Sequence, residues 1–466
     1  MNKNTKTSMH MTNRLKRINK TMEKKRKHST TRTVALGFAL IILIGTVLLT
    51  LPVSVREGQP DFFISLFTAT SATCVTGLIV ADTYTHWTTF GQIVIFGLIQ
   101  IGGLGFMTVG VYISVVLNRR IGLQQRENLH ESVNTLELAG VVRLVKYIVQ
   151  GTIAIELIGA ALLATRFIPA FGIKKGIFFS VFHAVSAFCN GGFDLMGIRE
   201  PYSSLTAFEG DVTVNLVIMA LILIGGIGFV VWDDIARNKW HFKKYLLHTK
   251  IVLTVTIGLT IAGAVLFWIF ENNGLFAGMT IKEKLLGALF CSVTPRTAGF
   301  NTVDTASLSN ASKLLTLVYM FIGGSSGSTA GGAKTTTIVV MVCYAAAMLR
   351  NREDINLFNR RLTQDVVKKA NAIFVINLTI SLVAAMIIMM NQNNVPFEDV
   401  LFEVFSATGT VGMSTGITRT LPVLSKVVLI FLMYCGRLGS LSFALIFAQK
   451  KTLDTIRQPQ EKIIVG

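Results

Sequence analysis

Four glycines with a shared surrounding pattern are the residues of most chemical interest in this 466-residue chain. The first stretch reads Phe67-Thr-Ala-Thr-Ser-Ala-Thr-Cys-Val-Thr-Gly77, and the second Phe182-His-Ala-Val-Ser-Ala-Phe-Cys-Asn-Gly-Gly192. The third runs from Leu289 to Gly299 through Thr-Pro-Arg-Thr-Ala, and the fourth from Phe402 to Gly412. In each, a large apolar residue stands ten positions before the glycine, and the glycines are 115, 107 and 113 residues apart. The residues just before them are Val75 and Thr76, Asn190 and Gly191, Thr297 and Ala298, and Thr410 and Val411. These differ in size and polarity, so side chains do not form a matched ligand set. The backbone is the common element. Carbonyl rings replace the hydration shell of K⁺ in selectivity filters, and glycine permits the unusual backbone angles and close approach that such a strand needs.

A second signature follows each loop. Ile101-Gly-Gly-Leu-Gly-Phe106 and Ile224-Gly-Gly-Ile-Gly-Phe229 are near copies, matched by Ile322-Gly-Gly-Ser-Ser-Gly327 and Cys435-Gly-Arg-Leu-Gly-Ser440. Its second glycine position lies 26, 34, 25 and 25 residues beyond the first glycine set, and the longer value fits an insertion around Arg199–Gly210. Gly102, Gly103, Gly225 and Gly226 serve either close helix packing or a hinge. In the third copy a run of small residues interrupts an apolar span: Gly323, Gly324, Ser325, Ser326, Gly327, Ser328, Thr329, Ala330, Gly331, Gly332, Ala333 and Lys334. It fails as a phosphate-binding P-loop, because Ala333 intrudes before the lysine. A small-residue break below a filter reads as a pore-obstructing loop. In the fourth copy Arg437 replaces the second glycine. A charge at mid-membrane costs at least about 2.5–3.5 kcal/mol, so Arg437 faces a water-filled path or is tethered to backbone carbonyls. Arg296 tethers the third loop or reaches the outer surface. Asp82, Asp194 and Asp304 concentrate cations at the mouth or cap local turns.

These loops need elements to hold them at membrane depth. Apolar residues make up 51% of the chain and charged residues 15%, against about 25% charged in soluble domains. A soluble enzyme and a disordered chain are both excluded, and an integral membrane protein remains. Apolar runs at 33–53, 89–117, 147–168, 213–232, 249–270, 314–349, 370–390 and 421–448 are long enough to cross as helices. Runs at 62–73, 177–188, 281–293 and 397–408 suit re-entrant helices, whose C-terminal dipoles favour a cation. Thr280 and Glu283 form a capping box at the start of the third. The expected fold is all-α: four span–pore helix–span repeats, with eight transmembrane helices and four re-entrant pore helices around a central pore. The units are a basic arm (1–32), repeats at 33–117, 141–235, 249–349 and 368–448, and a tail (449–466).

The net charge is +19. Residues 1–32 hold eleven Lys/Arg and one acid. This arm runs into a stretch too long for a signal-peptide core and without a clear cleavage site, so it reads as membrane-facing and cytoplasmic, with no nucleic acid as partner. Loops 118–146, 233–250 and 350–369 carry Arg119, Arg120, Lys243, Lys244, Arg360 and Arg361, which places them and both termini in the cytoplasm. Cys74, Cys189, Cys291, Cys343 and Cys435 form no CxxC pair and read as buried apolar cysteines. No Ser/His/Asp, HExxH or paired-carboxylate arrangement supports an enzyme.

These motifs resemble the Trk/Ktr/HKT superfamily of potassium transporters, and its Ktr-type membrane subunits most closely, over about residues 33–450. Eight spans suit the Ktr branch better than TrkH, which has two more. The resemblance implies K⁺ uptake through a pore in a bacterial plasma membrane, with Gly77, Gly192, Gly299 and Gly412 selecting K⁺. It also implies a gating loop at Gly323–Lys334 and an inner-helix arginine at Arg437. Family members are homodimers on a cytoplasmic ring of RCK subunits of the KtrA or KtrC kind. The resemblance therefore implies nucleotide on the partner alone, K⁺ as the transported ion and no tightly bound cofactor, and it leaves Na⁺ activation open. The alternative is a Na⁺-conducting or Na⁺-coupled carrier of the same architecture. A serine in place of Gly77 would favour it.

Overall fold

The computed structural model describes residues 32–105, 108–112, 141–239, 241–352, 354–392, 394–439 and 443. Arm residues 1–31, the tail at 449–466, Arg119 and Arg120 lie outside them. So do 106–107, 113–117, 440–442 and 444–448 of two expected spans.

Among the described residues, four helices are long and apolar enough to cross a membrane: α1 (Arg32–Leu49), α4 (Val141–Phe171), α8 (Leu247–Glu271) and α12 (Gln364–Asn391). Their outward residues, such as Leu36, Val47, Ile158 and Ile269, are apolar and exposed. A surface of this kind is stable against lipid and costly against water. The run expected at 213–232 is not one straight helix: α6 (Val212–Gly226) meets α7 (Phe229–Asn238) at 93°. The runs at 89–117, 314–349 and 421–448 hold shorter apolar helices. These are α3 (Thr89–Leu104), α10 (Asn310–Ile322) with α11 (Thr335–Leu349), and α14 (Val423–Leu438).

The breaks have one backbone cause. Gly105, Gly228 and Gly439 follow the ends of α3, α6 and α14 with φ of 80°, 98° and 84°, angles that stop an α-helix and that glycine adopts without steric cost. All three are the last glycine of their copy of the second signature; in the third copy α10 stops instead at the first glycine, Gly323, with φ of 60°.

The four short apolar pieces form α2 (Phe62–Thr73), α5 (Ile173–Phe188), α9 (Ile281–Val293) and α13 (Phe397–Gly409). Helix α5 starts four residues earlier than expected, directly after Gly172. Side chains close several helix starts. Asp61 accepts from the Phe63 and Ile64 amides, Asp211 from those of Thr213 and Val214, and Ser309 from that of Ser312. The Thr280–Glu283 capping box is present at α9. These caps satisfy amides that a helix leaves unpaired.

The core is shared between helices distant in sequence. One apolar cluster joins Ile95 and Ile99 of α3 to Phe182 and Phe188 of α5 and Ile218 of α6. A second joins Phe67 of α2 to Val404 of α13 and Leu429 of α14. The expected loop at 350–369 carries a small hairpin, β1 (Asn356–Leu357) paired antiparallel with β2 (Arg360–Arg361). Phe358 and Asn359 at its tip both have positive φ, as a two-residue hairpin turn demands. Four of the five cysteines are buried, Cys343 is half-buried, and all are free.

Candidate functional site

Each short helix delivers its chain to the same place. Val75, Asn190, Thr297 and Thr410 have φ of 55°, 60°, 73° and 51°, and Gly77, Gly192, Gly299 and Gly412 have φ of 90°, 68°, 80° and 89°. Non-glycine residues rarely hold positive φ, so four copies of this alternation mark one conformation used four times. A Cβ added at Gly77 would lie 2.7 Å from the Gly191 carbonyl oxygen, at Gly192 2.9 Å from that of Ala298, and at Gly299 2.5 Å from that of Val411. At Gly412 it would strike the Thr76 carbonyl oxygen. Each glycine thus abuts the carbonyl just before the next glycine, and the fourth returns to the first. The twelve residues singled out in sequence form a closed ring of four strands.

The strands are tied to their own helices. The Thr76 amide donates to the Ser71 carbonyl (2.8 Å), Gly191 to Ser186 (2.6 Å) and Val411 to Ser406 (2.8 Å). The Gly77 and Gly412 amides donate to the Ser71 and Ser406 hydroxyls at 3.1 and 3.0 Å. In the third strand Ala298 donates to the Thr294 carbonyl at 2.9 Å. The Asn190 side chain donates sideways to Thr297 Oγ1 at 3.2 Å, which fits a backbone role for the strand.

Gly102, Gly103, Gly225 and Gly436 lie where inner helices meet the backs of these loops. A Cβ there would strike Thr73, Cys189, Phe188 and Thr408 respectively. They serve close packing, and the hinge-like break belongs to the glycine that follows. Arg296 is buried and donates to Thr256 Oγ1 of α8 at 3.2 Å, so it ties the third loop inward rather than reaching the outer surface.

Gly323–Lys334 folds against one side of the ring. A Cβ at Gly331 would press on the Thr410 side chain, and one at Gly332 would lie 3.0 Å from Gly409 Cα. Thr329 Oγ1 donates to Asn190 Oδ1 at 3.2 Å. The Ser325 amide donates to the Gly226 carbonyl (3.1 Å) and the Phe229 amide to the Gly327 carbonyl (2.9 Å), so the loop lies in the bend between α6 and α7. Within it, Ser328 Oγ donates to the Ser325 carbonyl at 2.7 Å, and Ser326 and Thr336 hydroxyls meet at 3.2 Å. Arg437 donates to the carbonyls of Thr329, Gly102 and Gly103, and Lys334 Nζ to that of Ala330 at 2.7 Å. Arg437 therefore holds the loop and the end of α3 together, as a tether to backbone carbonyls.

On the opposite side a cavity of about 440 Å³ is floored by the four ring glycines. Asp194 and Asp304 line its wall, and both also cap turns, through the Met196 and Ala306 amides. Asp82 caps a turn through Tyr84 and Thr85 and also accepts from the Tyr202 amide at 3.0 Å. The insertion at Arg199–Gly210 thus spans the cavity rim. Besides Asp82 it meets Asn301, through the Leu205 amide at 2.8 Å, and Arg419, stacked 4.1 Å above the Tyr202 ring.

Two buried acids inside apolar runs escaped the sequence reading. Glu156 of α4 accepts from Gln100 Nε2 at 3.2 Å, and the thiol of Cys189, at the end of α5, points to the same pair. Glu403 of α13 accepts from the hydroxyls of Ser414 and Thr418. An acid inside an apolar run was the available signal.

Comparison with known proteins gives this arrangement a class. Residues 7–457 match the sequence model of TrkH, described as a cation transport protein; the chain belongs to that family. The potassium/sodium uptake protein NtpJ of Enterococcus hirae is 42% identical over 450 residues, covering 95% of this chain and 98% of that protein. Ktr system potassium uptake protein B of Bacillus subtilis is 42% identical over 437 residues, covering 93% and 96%. The crystal structure of the potassium transporter TrkH from Vibrio parahaemolyticus aligns with a TM-score of 0.67 at 20% identity, covering 88% of this chain and 84% of that one.

Proposed function

We propose that the chain is the ion-translocating subunit of a Ktr-type potassium uptake system in a bacterial plasma membrane. The carrying observation is the closed ring, in which each glycine abuts the carbonyl before the next. The ring glycines floor an open cavity on one side, and on the other side stands a loop held by Arg437. In this reading the chain is four span–pore helix–span repeats making eight crossings, some of them broken by signature glycines. Dehydrated K⁺ is coordinated by the ring carbonyls. The Gly323–Lys334 loop and Arg437 form the gate beneath them, since a guanidinium repels an entering cation and its donors hold the loop closed. The Ktr relatives are named as parts of a system, which supports a partner subunit; in this reading the chain is a homodimer on a cytoplasmic RCK-type ring that carries the nucleotide, with both termini on that side.

Restored growth of a K⁺-uptake-deficient bacterium on low K⁺ tests the proposal. Growth no better than with empty vector, with the protein present in the membrane, refutes it. The printed name of the Enterococcus relative, which includes sodium, supports a second reading as a Na⁺-conducting or Na⁺-coupled carrier. Gly77, with no hydroxyl to offer a smaller ion, favours the first. Ion competition in a flux assay separates them.

A further inference from the structure

The four ring strands leave their helices in the same way but are anchored differently on the way out. The position nine residues before each ring glycine is held by Thr68, His183, Phe290 and Glu403. His183 Nε2 accepts from the Leu195 amide at 3.3 Å. In the third unit Thr294 Oγ1 donates to the Phe300 carbonyl at 2.6 Å instead. Glu403 is the acid of the set and is wholly buried. Both its carboxyl oxygens act as acceptors, Oε1 from the Ser414 hydroxyl and Oε2 from Thr418 Oγ1 at 2.5 Å.

A wholly buried carboxyl group is costly unless its hydrogen bonds are made, so these two contacts fix the residues that supply them. Those two hydroxyls bracket a turn in which the Gly416 amide donates to Ser414 Oγ at 2.8 Å. One residue, Met413, separates that turn from Gly412. The inner end of the same strand is fixed to α13 through Ser406. The fourth strand is therefore clamped at both ends to one helix, at Ser406 and at Glu403.

We infer that Glu403 is a positioning residue for ion selection, acting through Ser414 and Thr418 to hold the Val411–Gly412 backbone at the spacing that favours K⁺ over a smaller cation. The inference rests on the ring being the selecting element. Releasing the outer end of one strand lets its carbonyl move inward, which favours Na⁺ before it impairs passage.

The test uses the full-length chain in a K⁺-uptake-deficient bacterium, with membrane abundance measured alongside. The readouts are KM for K⁺, Vmax, and the Na⁺ concentration that halves K⁺ uptake. Glu403→Gln is expected to lower the preference for K⁺ over Na⁺ about tenfold, a change of about 1.4 kcal/mol, and to move KM by more than Vmax. Ser414→Ala and Thr418→Val each shift preference in the same direction by less. Thr418→Val adds little once Glu403→Gln is present, because the two act through one contact.

Preference unchanged in all three single variants overturns the inference. So does a fall in Vmax alone, the mark of a merely structural role, and so does full additivity in the double variant. Should Glu403→Gln fail to accumulate, the two hydroxyl variants decide: a shift upholds the inference and none overturns it. Gly412→Ala is the reference. If it too leaves preference unmoved, the ring reading itself fails. If it shifts preference while Glu403→Gln does not, the failure is that of Glu403 alone.

Discussion

Replacing Gly77 with serine puts a side chain where the backbone leaves no room for one. The new Cβ lies 2.7 Å from the Gly191 carbonyl oxygen and 2.9 Å from Gly192 Cα, both backbone atoms that cannot rotate away. The residue also keeps a φ of 90°, which costs a non-glycine residue about 1–3 kcal/mol. Crowding adds about 1–3 kcal/mol. Relaxation divides this cost between the empty and the ion-filled ring. If about 1.4–2.8 kcal/mol falls on the filled one, K⁺ is held about ten- to a hundredfold less well. The assay is K⁺ uptake at micromolar K⁺ in excess Na⁺, in cells of matched protein abundance. KM for K⁺ should rise ten- to a hundredfold while uptake at saturating K⁺ falls far less. Gly77→Ala separates two causes: crowding alone gives alanine the same KM as serine, whereas a coordinating hydroxyl makes serine alone admit Na⁺. An unchanged KM in both variants refutes the argument that the ring selects the ion.

Other parts of the structure carry their own expectations. Arg437→Gln removes donors to the Thr329, Gly102 and Gly103 carbonyls, and deletion within Ser325–Ala330 shortens the loop. Each should raise K⁺ flux several-fold and weaken dependence on a cytoplasmic partner, as read by initial uptake rates with and without that partner. Gly225→Ala drives a Cβ into the Phe188 carbonyl and to 3.1 Å from Asn190 Oδ1. It should destabilise the detergent-solubilised protein by about 1–3 kcal/mol, seen as a lower thermal midpoint. Asp211→Ala loses the cap on Thr213 and Val214 and the 2.6 Å pair with Arg166. The capping loss of about 1 kcal/mol should dominate, because the arginine is half exposed and an exposed pair contributes little; KM should stay at the wild-type value.

What the sequence disclosed was what local backbone chemistry requires. A glycine ten residues past a large apolar residue, four times over, is legible because positive φ is a one-residue demand. The order of the ring then follows from simple succession along the chain. The small-residue loop was legible as a break for the same reason. Side-chain direction was not. Arg437 could be placed in the membrane but not assigned to the Thr329 carbonyl, because that bond depends on where α14 lies against α3. Arg296 has the same composition-level signal and turns the other way, toward Thr256. The bend between α6 and α7 was missed because an unbroken apolar run scores as one span whatever its φ angles, and Gly228 was passed over for the glycines before it. Glu403 went unread because its partners lie eleven and fifteen residues on, beyond any helical spacing.

Closure of the ring has a consequence for biogenesis. Thr76 meets Gly412, Arg437 meets Gly102 across 335 positions, and the Tyr434 hydroxyl donates to the Ala35 carbonyl, 399 positions away, at 2.6 Å. These are contacts of very high sequence separation, which form late because the intervening chain must first be ordered. While the ribosome is still making the last quarter of the protein, the first ring strand lacks its neighbour at Gly412 on one flank. An unfinished chain thus lacks the closed ring, and a stalled or clipped one leaves unpaired backbone at a depth where no water can satisfy it.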